Sequence, residues 1–235
     1  MTDVDDPLLG KTLGGYTIDR RIGSGATGVV YAARDSAEQV VAVKVLNEAL
    51  GQIRSLRRRF EREARALSKL KHHKIVHIED FGVVDEIVFI AMEYLEGETL
   101  EDRITREPID AENALDVTRQ VLAGVAFAHA RQIVHRDLKP ANVFLLGSSG
   151  TVPSASAMEA KVLDFGLAKF LSIEELSQEG TLTRRGRVVG TPAYMAPEQI
   201  TGVSLDLRAD VYAVGIMLFE LLADRRPFDS ERRSK

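Results

Sequence analysis

The clearest candidates for chemistry are three glycines, Gly23, Gly25 and Gly28, in the segment GSGATGV near the start of the chain. Because glycine has no Cβ, a backbone with glycines at this spacing can pass close to phosphate oxygens. In dinucleotide-binding proteins such glycines lead into a helix, whereas the residues that follow here, 29–32, predict a strand. The pattern therefore favours a glycine-rich hairpin, with a plain β-turn as the alternative.

A second candidate is Lys44, which ends an apolar run. Burying its amine costs free energy unless the amine has a partner. Glu63 is the expected partner, because it lies three residues after Phe60 on the predicted helix Ser55–Leu70, towards the apolar face. Glu61 is the competing carboxylate. The alternatives are a snorkelling Lys44 at the surface and a solvated Glu63.

Three more motifs follow in the second half of the chain. Each of them alone is compatible with an ordinary loop, but the whole set in this order is not expected by chance. The motifs are HRDLKPAN at 135–142, DFG at 164–166 and GTPAYMAPE at 190–198.

The elements that must hold these motifs are predicted from hydrophobic periodicity and turn residues. The first third of the chain is rich in strand signals, and the remainder is mainly helical. Leu95–Glu98 predicts a linker, and Gly147–Ala160 predicts a flexible loop. The predicted strands are Tyr16–Ile22, Val29–Ala33, Val40–Val45, Ile75–Phe81, Ile87–Tyr94 and Lys161–Leu163.

Two further helices are predicted beside the one at Ser55–Leu70. The first, Ala111–Arg131, has an apolar face at helical spacing. The second starts near Val211, and Asp206 is its expected cap. The apolar face of the first helix comprises Ala114, Val117, Val121, Leu122, Val125 and Ala128.

Composition sets broad limits on the function. The chain has 235 residues, 45% hydrophobic and 28% charged, which suffices for a sizeable core and excludes a disordered or collagen-like chain. It has no cysteine, so disulfides and thiolate chemistry are excluded. A formal charge of −4 gives no general attraction to nucleic acid or anionic lipid. The longest apolar stretch, Val211–Ala223, contains Glu220 and is too short for a membrane segment.

The complete motif set resembles the eukaryotic-type protein kinases, and within them the bacterial serine/threonine kinases. The resemblance extends over residues 16–229. It implies an α+β, bilobal fold, with a small β-rich N-lobe that carries one helix and a larger, mostly helical C-lobe that lacks its last helices. The implied division is an N-terminal extension at 1–15, the N-lobe at 16–94, and the hinge and partial C-lobe at 95–235.

The resemblance implies a serine/threonine protein kinase that transfers the γ-phosphate of ATP to protein serine or threonine hydroxyls. Asp137 would orient the substrate hydroxyl and accept its proton, and Lys139 would stabilise the transferring phosphoryl group. Asn142 and Asp164 would hold two Mg²⁺ ions, with Mn²⁺ as an alternative. Oxygen ligands of this kind suit Mg²⁺, and phosphoryl transfer depends on placement and charge neutralisation.

ATP itself would lie against the first lobe. Lys44, held by Glu63, would contact the α- and β-phosphates, and Val29 would pack on adenine together with Ile22. Met92 resembles the gatekeeper, and the segment 93–95 resembles the hinge whose backbone bonds adenine. The residues implied to bind ATP are Ile22, Gly23, Ser24, Gly25, Ala26, Thr27, Gly28, Val29, Ala42, Lys44, Met92, Glu93 and Leu95.

Regulation is also implied by the resemblance. Arg136 would bind a phosphate on the activation loop, at Thr181 or Thr183, with Ser177 as a weaker candidate. The hypothesis is autophosphorylation, for which a homodimer is one arrangement. A cytoplasmic location is expected, and a membrane anchor outside this chain is compatible with it. Thr191 is expected to contact the catalytic loop, with a turn-capping role as the alternative.

The sequence departs from the family after Arg226–Asp229, where its members continue with further helices of the large lobe. The chain is therefore expected to be a fragment of a longer protein or a truncated kinase. An exposed apolar patch around Val211–Leu222 and a lowered stability are expected as a result.

Three other functions compete with an active protein kinase. A pseudokinase that serves as a binding module usually lacks catalytic side chains, which are all present here. A small-molecule phosphotransferase is disfavoured by the glycine hairpin and the segment 190–198. A dinucleotide-binding oxidoreductase is disfavoured by the strand that follows the glycines.

Overall fold

A computed structural model describes residues 6–25, 28–46, 54–147, 158–165, 192–201 and 206–228, without the side chains of 54–56, 59 and 192. The chain divides into two compact units. The first comprises residues 1–71 and 76–95, and the second comprises residues 72–75 and 96–235. The division thus follows Leu95, and the short segment 72–75 belongs to the second unit. None of the described helices is long and apolar enough to cross a bilayer.

The first unit contains an antiparallel sheet with strand order β1-β2-β3-β4-β6-β5. The predicted extension at 1–15 contributes β1 to this sheet, and the Asp6 carboxylate accepts a hydrogen bond from the Tyr31 hydroxyl at 2.8 Å. The strands are β1 (Thr12–Leu13), β2 (Tyr16–Gly25), β3 (Gly28–Arg34), β4 (Val40–Leu46), β5 (Ile78–Val84) and β6 (Ile87–Glu93).

One face of this sheet carries a hydrophobic core, because alternate residues of a strand point to the same side. In β4 these are Val41 and Val43, which pair with Ala33 and Tyr31 of β3. The buried members of the core are Leu13, Ile18, Tyr31, Ala33, Val41, Val43, Phe89 and Ala91.

Helix α1 (Arg54–Leu67) covers the opposite face. Its fully buried Phe60 packs edge-on against Phe81 of β5, with ring centroids 6.1 Å apart. Phe81 pairs with Ile90 of β6, and Ile90 pairs with Lys44 of β4. Because directly opposed residues point to the same side of a sheet, α1 lies on the face that carries Lys44.

The second unit is mainly helical. It contains a three-stranded sheet of order β7-β8-β9, and helices α3 and α5 pack against each other. The strands are β7 (Gly97–Thr99), β8 (Val143–Leu146) and β9 (Glu159–Val162), and the helices are α2 (Leu100–Arg106), α3 (Ala111–His129), α4 (Pro197–Thr201) and α5 (Arg208–Ala223).

Several predicted boundaries are wrong. β5 begins at Ile78, because Ile75 instead forms a parallel bridge with Val162 in the second unit. The segment 95–98 is not a plain linker, since Gly97 begins β7 and pairs with Leu146. A Cβ at Gly97 would lie 2.0 Å from the carbonyl oxygen of Leu145, which explains the glycine. The predicted loop 147–160 ends in β9, and its residues 148–157 lie outside the described part.

Leu122 is also misplaced by the prediction, since 40% of it is exposed. The residue lies one position beyond buried Val121 and is rotated about 100° from it around α3. The other five predicted apolar positions of α3 are buried as expected.

At α5 one expectation is wrong and another agrees with the structure. The capping residue is Leu207 and not Asp206, whose carboxylate accepts the backbone N–H of Arg208 at 2.8 Å from the position before the cap. The expected exposed apolar side chains are present at Val211, Phe219 and Leu222.

Candidate active site

The first unit presents Lys44 on a defined face of its sheet. Strand register pairs Lys44 with Val30, and it pairs Ala42 with both Ala32 and Met92. Lys44, Ala42 and Met92, three of the predicted ATP-binding residues, therefore lie on one face. Lys44 is only 4% exposed, so the snorkelling alternative is wrong.

Val29 lies on the other face. It pairs with Val45 and packs against the hydrophobic core. Val30 is the residue of β3 that shares the face of Lys44. Val29 was predicted instead of Val30 because the valine that faces Lys44 is decided by the register of β3 against β4.

Glu63 lies on α1, the helix that covers the face of Lys44. Its side chain is 29% exposed and forms an ion pair with Arg62 at 2.9 Å. Glu61 is exposed, so Glu63 is the more buried of the two candidate carboxylates. The pairing of Glu63 with Lys44 stays a prediction.

The predicted hairpin is formed by β2 and β3, with Gly25 paired with Gly28. Gly28 has a φ of +149°, and a Cβ there would lie 2.0 Å from the Val45 carbonyl oxygen, so the fold itself requires glycine. At Gly25 a Cβ would meet no described atom within 4 Å, and at Gly23 the nearest atom is 4.0 Å away. Packing in the described residues therefore does not explain these two glycines.

The segment that starts the predicted hinge is held by a reciprocal pair of contacts. Glu93 donates its backbone N–H to the His77 carbonyl at 3.0 Å, and its carboxylate accepts the His77 N–H at 2.8 Å. This pairing fixes the end of β6. Leu95 is half-buried, whereas Ile22 and Ser24 are exposed.

The second unit brings together three predicted catalytic-loop residues. Lys139 donates from Nζ to the Asp137 carboxylate at 2.8 Å, and Asn142 donates from Nδ2 to the same carboxylate at 3.2 Å. Asn142 also donates to the Asp137 carbonyl at 2.7 Å. Since these contacts occupy the amide NH₂ group, the amide oxygen of Asn142 is available to accept or to ligate.

The predicted metal residue Asp164 is tied to this loop through its neighbours. The Asn142 carbonyl accepts the Leu163 N–H at 2.9 Å, and the fully buried His135 donates from Nε2 to the Leu163 carbonyl at 2.7 Å. With Nε2 protonated, a neutral His135 has Nδ1 free to accept the Asp137 N–H at 3.3 Å.

Asp210 is the main positioning residue that the sequence analysis missed. It is 1% exposed at the start of α5. Its carboxylate accepts the backbone N–H groups of His135 and Arg136 at 2.8 and 2.9 Å, and His129 donates to it at 2.7 Å. A carboxylate on the buried face of an apolar helix was the available signal, because a buried charge requires partners.

Two site residues have backbone conformations that side chains disfavour. Arg136 has a φ of 72° and Asp164 a φ of 54°. Such conformations persist only where the surroundings impose them, and they concentrate at functional sites. Arg136 is held from both sides, because its carbonyl also accepts from Nε2 of Gln199 at 2.7 Å.

The segment 192–201 contacts α5. The Tyr194 hydroxyl donates to the Glu220 carboxylate. Burial, and then the bond to Glu220, raise the pKa of Tyr194 above its usual value. The sequence analysis did not predict the contact of Glu220 with Tyr194 or that of Gln199 with Arg136.

The predicted metal residues, Asn142 and Asp164, carry the kind of ligand atoms that Mg²⁺ prefers. Asn142 and Asp164 supply hard oxygens, and the Asn142 amide is already oriented by Asp137. Within the described ranges no cluster of three or more His, Asp or Glu side chains could hold a metal by itself. The remaining ligands would then come from phosphate and water.

Seven residues singled out from the sequence lie outside the described residues. They are Ala26, Thr27, Gly166, Ser177, Thr181, Thr183 and Thr191.

Comparison with known proteins agrees with these features. Residues 16–235 match the family model described as "Protein kinase domain". The chain is 41% identical to the serine/threonine-protein kinase PrkC of Bacillus subtilis over 227 residues, covering 95% of this chain and 33% of that protein. It is 40% identical to the serine/threonine-protein kinase pkn3 of Myxococcus xanthus over 232 residues, covering 96% and 41%. The chain thus spans only about a third to two fifths of these relatives.

A solved structure shares the fold. The PknI kinase domain of Mycobacterium tuberculosis matches with a TM-score of 0.73 at 29% identity, over 96% of this chain and 81% of that chain. The predicted kinase fold, with one β-rich unit and one mainly helical unit, is confirmed. The chain belongs to the protein kinase family.

Proposed function

We propose that the chain is the catalytic domain of a serine/threonine protein kinase, which transfers the γ-phosphate of ATP to protein serine or threonine hydroxyls. The observation that carries the proposal is the Asp137 carboxylate, held by Lys139 and Asn142 in a loop that buried Asp210 fixes. A fixed carboxylate beside an amine suits a hydroxyl nucleophile that attacks a charged phosphoryl group.

The reaction is then as follows. Asp137 orients the substrate hydroxyl and takes its proton as the new oxygen–phosphorus bond forms, while the bond between the β- and γ-phosphates breaks and ADP leaves. Lys139 offsets negative charge on the transferring group. Asn142 and Asp164 would hold Mg²⁺ or Mn²⁺, which would neutralise negative charge on the phosphates.

The first unit binds the nucleotide in this proposal. Lys44 contacts the α- and β-phosphates and is held by Glu63. The glycines at 23 and 25 let the backbone approach phosphate, which accounts for glycine where packing does not. The adenine contact predicted for Val29 is assigned instead to Val30, which shares the face of Lys44.

The test is transfer of labelled γ-phosphate from Mg-ATP to a serine- or threonine-containing protein. The parent chain is compared with Asp137→Asn and with Asp85→Asn, a control in an exposed turn. We expect label on serine or threonine in the parent and control, and a loss of about a hundredfold or more in Asp137→Asn. ATP binding without transfer in the parent would indicate a pseudokinase and would overturn the proposal.

Autophosphorylation at Thr181 or Thr183, read by Arg136, is part of the proposal. A homodimer would let one copy phosphorylate the other, and a cytoplasmic location would supply ATP. Phosphopeptide mapping of active protein tests this point, and two unmodified threonines would contradict it.

A further inference from the structure

The sequence of helix α1 and of the turn after it is strongly basic, and the catalytic roles do not use these basic side chains. Residues 54–71 contain eight Lys or Arg and two Glu, whereas the whole chain has 31 basic and 35 acidic side chains. The rest of the chain is therefore clearly acidic. Attraction of anions is therefore favoured at this segment and not over the chain as a whole.

The exposed basic residues form a line along the helix. Arg58, Arg62 and Arg65 are spaced by four and three residues, and Lys69 continues the spacing in the turn after α1. Residues with this spacing share one helix face. The line, here called the basic stripe, spans about 16 Å at 1.5 Å per residue. It lies opposite the face that buries Phe60.

The basic stripe is unfavourable for its own helix. Like charges three and four residues apart repel each other, and exposed Glu61, three residues after Arg58 and four before Arg65, offsets only part of this repulsion. The first turn of α1 also has no acidic residue to complement the helix dipole. Arg62 pairs with Glu63. In the described part of the chain, no carboxylate forms an ion pair with Arg58, Arg65 or Lys69, which are all exposed. An anionic partner would relieve this repulsion.

We propose that the basic stripe is a docking surface for an acidic segment of a protein substrate. The inference rests on the proposed function, because a protein kinase acts on other proteins. Insertion into a membrane is disfavoured, since the apolar face of α1 is buried in the unit. A long polyanion would also meet the acidic remainder of the chain, whereas a short acidic segment matches the length of the stripe.

The test uses the full chain and two fluorescein-labelled twelve-residue peptides, one rich in Glu and one in which Gln replaces each Glu. Fluorescence anisotropy should show binding of the Glu peptide, weakened by salt, and no binding of the Gln peptide. Replacing Arg58, Arg65 and Lys69 together by Gln should weaken binding about tenfold.

A matched control removes three charges from other surfaces, at Lys11, Arg119 and Arg225, again by substitution with Gln. Equal weakening by the control would overturn the proposal, as would the absence of Glu-peptide binding to the parent. Tighter, stripe-dependent binding of single-stranded oligonucleotide or phosphatidylserine vesicles would overturn it in favour of another anionic partner.

Two further measurements separate the docking proposal from the kinase proposal. Circular dichroism checks that the triple variant folds. If the triple variant does not fold, Arg65→Gln alone is used in its place, and its affinity for the Glu peptide should fall about twofold. Phosphoryl transfer to a substrate without an acidic segment should be unchanged in the triple variant. A parent that binds the Glu peptide but transfers no phosphate would contradict the kinase proposal alone.

Discussion

The glycine hairpin of the first unit and the catalytic loop of the second are positioned in different ways. In the described part of the hairpin, 22–25 and 28–30, no side chain makes a hydrogen bond, and the strands are paired through their backbones. In the loop 135–142, buried and half-buried side chains hold both the backbone and the Asp137 carboxylate. Backbone N–H groups suffice to bind phosphate, whereas a general base requires a fixed side chain.

The strongest way to break the catalytic loop is to replace Asp210 by Ala. The backbone N–H groups of His135 and Arg136 and the ring of His129 would lose their buried acceptor. We expect a loss of about 3–5 kcal/mol in the free energy of unfolding and a hundredfold or larger fall in phosphoryl transfer. Urea denaturation and a transfer assay measure the two effects. Asp210→Asn keeps an acceptor, so its stability and activity should lie between those of the parent and Asp210→Ala. An unchanged stability of Asp210→Ala would contradict the network.

The hairpin is tested by two glycine substitutions that differ in their expected effects. Gly28→Ala would place a Cβ 2.0 Å from the Val45 carbonyl oxygen at a φ of +149°, and should cost about 2 kcal/mol of unfolding free energy. Gly25→Ala meets no described atom within 4 Å, so its stability should change little while KM for ATP rises. Equal destabilisation by both would show that packing, and not nucleotide binding, explains Gly25.

Tyr194→Phe tests whether side-chain hydrogen bonds also stabilise the second unit outside the catalytic loop. Tyr194→Phe should cost about 1.5 kcal/mol near neutral pH, because it removes a hydrogen bond to a carboxylate. The pKa of Tyr194 is raised in the folded protein, so its contribution is complete below the ordinary tyrosine pKa of about 10 and declines as the pH rises above it. Urea midpoints at pH 8 and pH 10.5 should therefore differ more in the parent than in Tyr194→Phe.

The elements were largely predictable from sequence because their periodicity is strong. Phe60 is buried on the apolar face of α1 as predicted, and Ala64 and Leu67 are buried beside it. Errors arose where tertiary contacts decide. Ile75 was assigned to β5 by its β-branched neighbours, but it pairs with Val162 of the second unit. Leu122 is apolar as a core residue would be, but its angular position on α3 leaves it 40% exposed.

The site shows the same limit. The motifs led to Asp137, Lys139 and Asn142 directly, because their types and spacing carry the family resemblance. Asp210 lies 68 residues after Asn142 in an apolar helix, and only the fold brings its carboxylate to the loop. Nor does a motif state which of two neighbouring valines faces Lys44, since that depends on strand register.

Of these substitutions, Ser24→Ala in the glycine hairpin should have the smallest effect on stability and on ATP binding. Ser24 is exposed and its backbone pairs with Val29. If the hairpin acts through its backbone, Ser24→Ala should change the unfolding free energy by less than about 0.5 kcal/mol and KM for ATP by less than about twofold, because the N–H groups remain in place. Steady-state kinetics against ATP, beside Gly25→Ala, measure the difference. A large rise in KM for Ser24→Ala would mean that the hydroxyl, and not the backbone, binds the nucleotide.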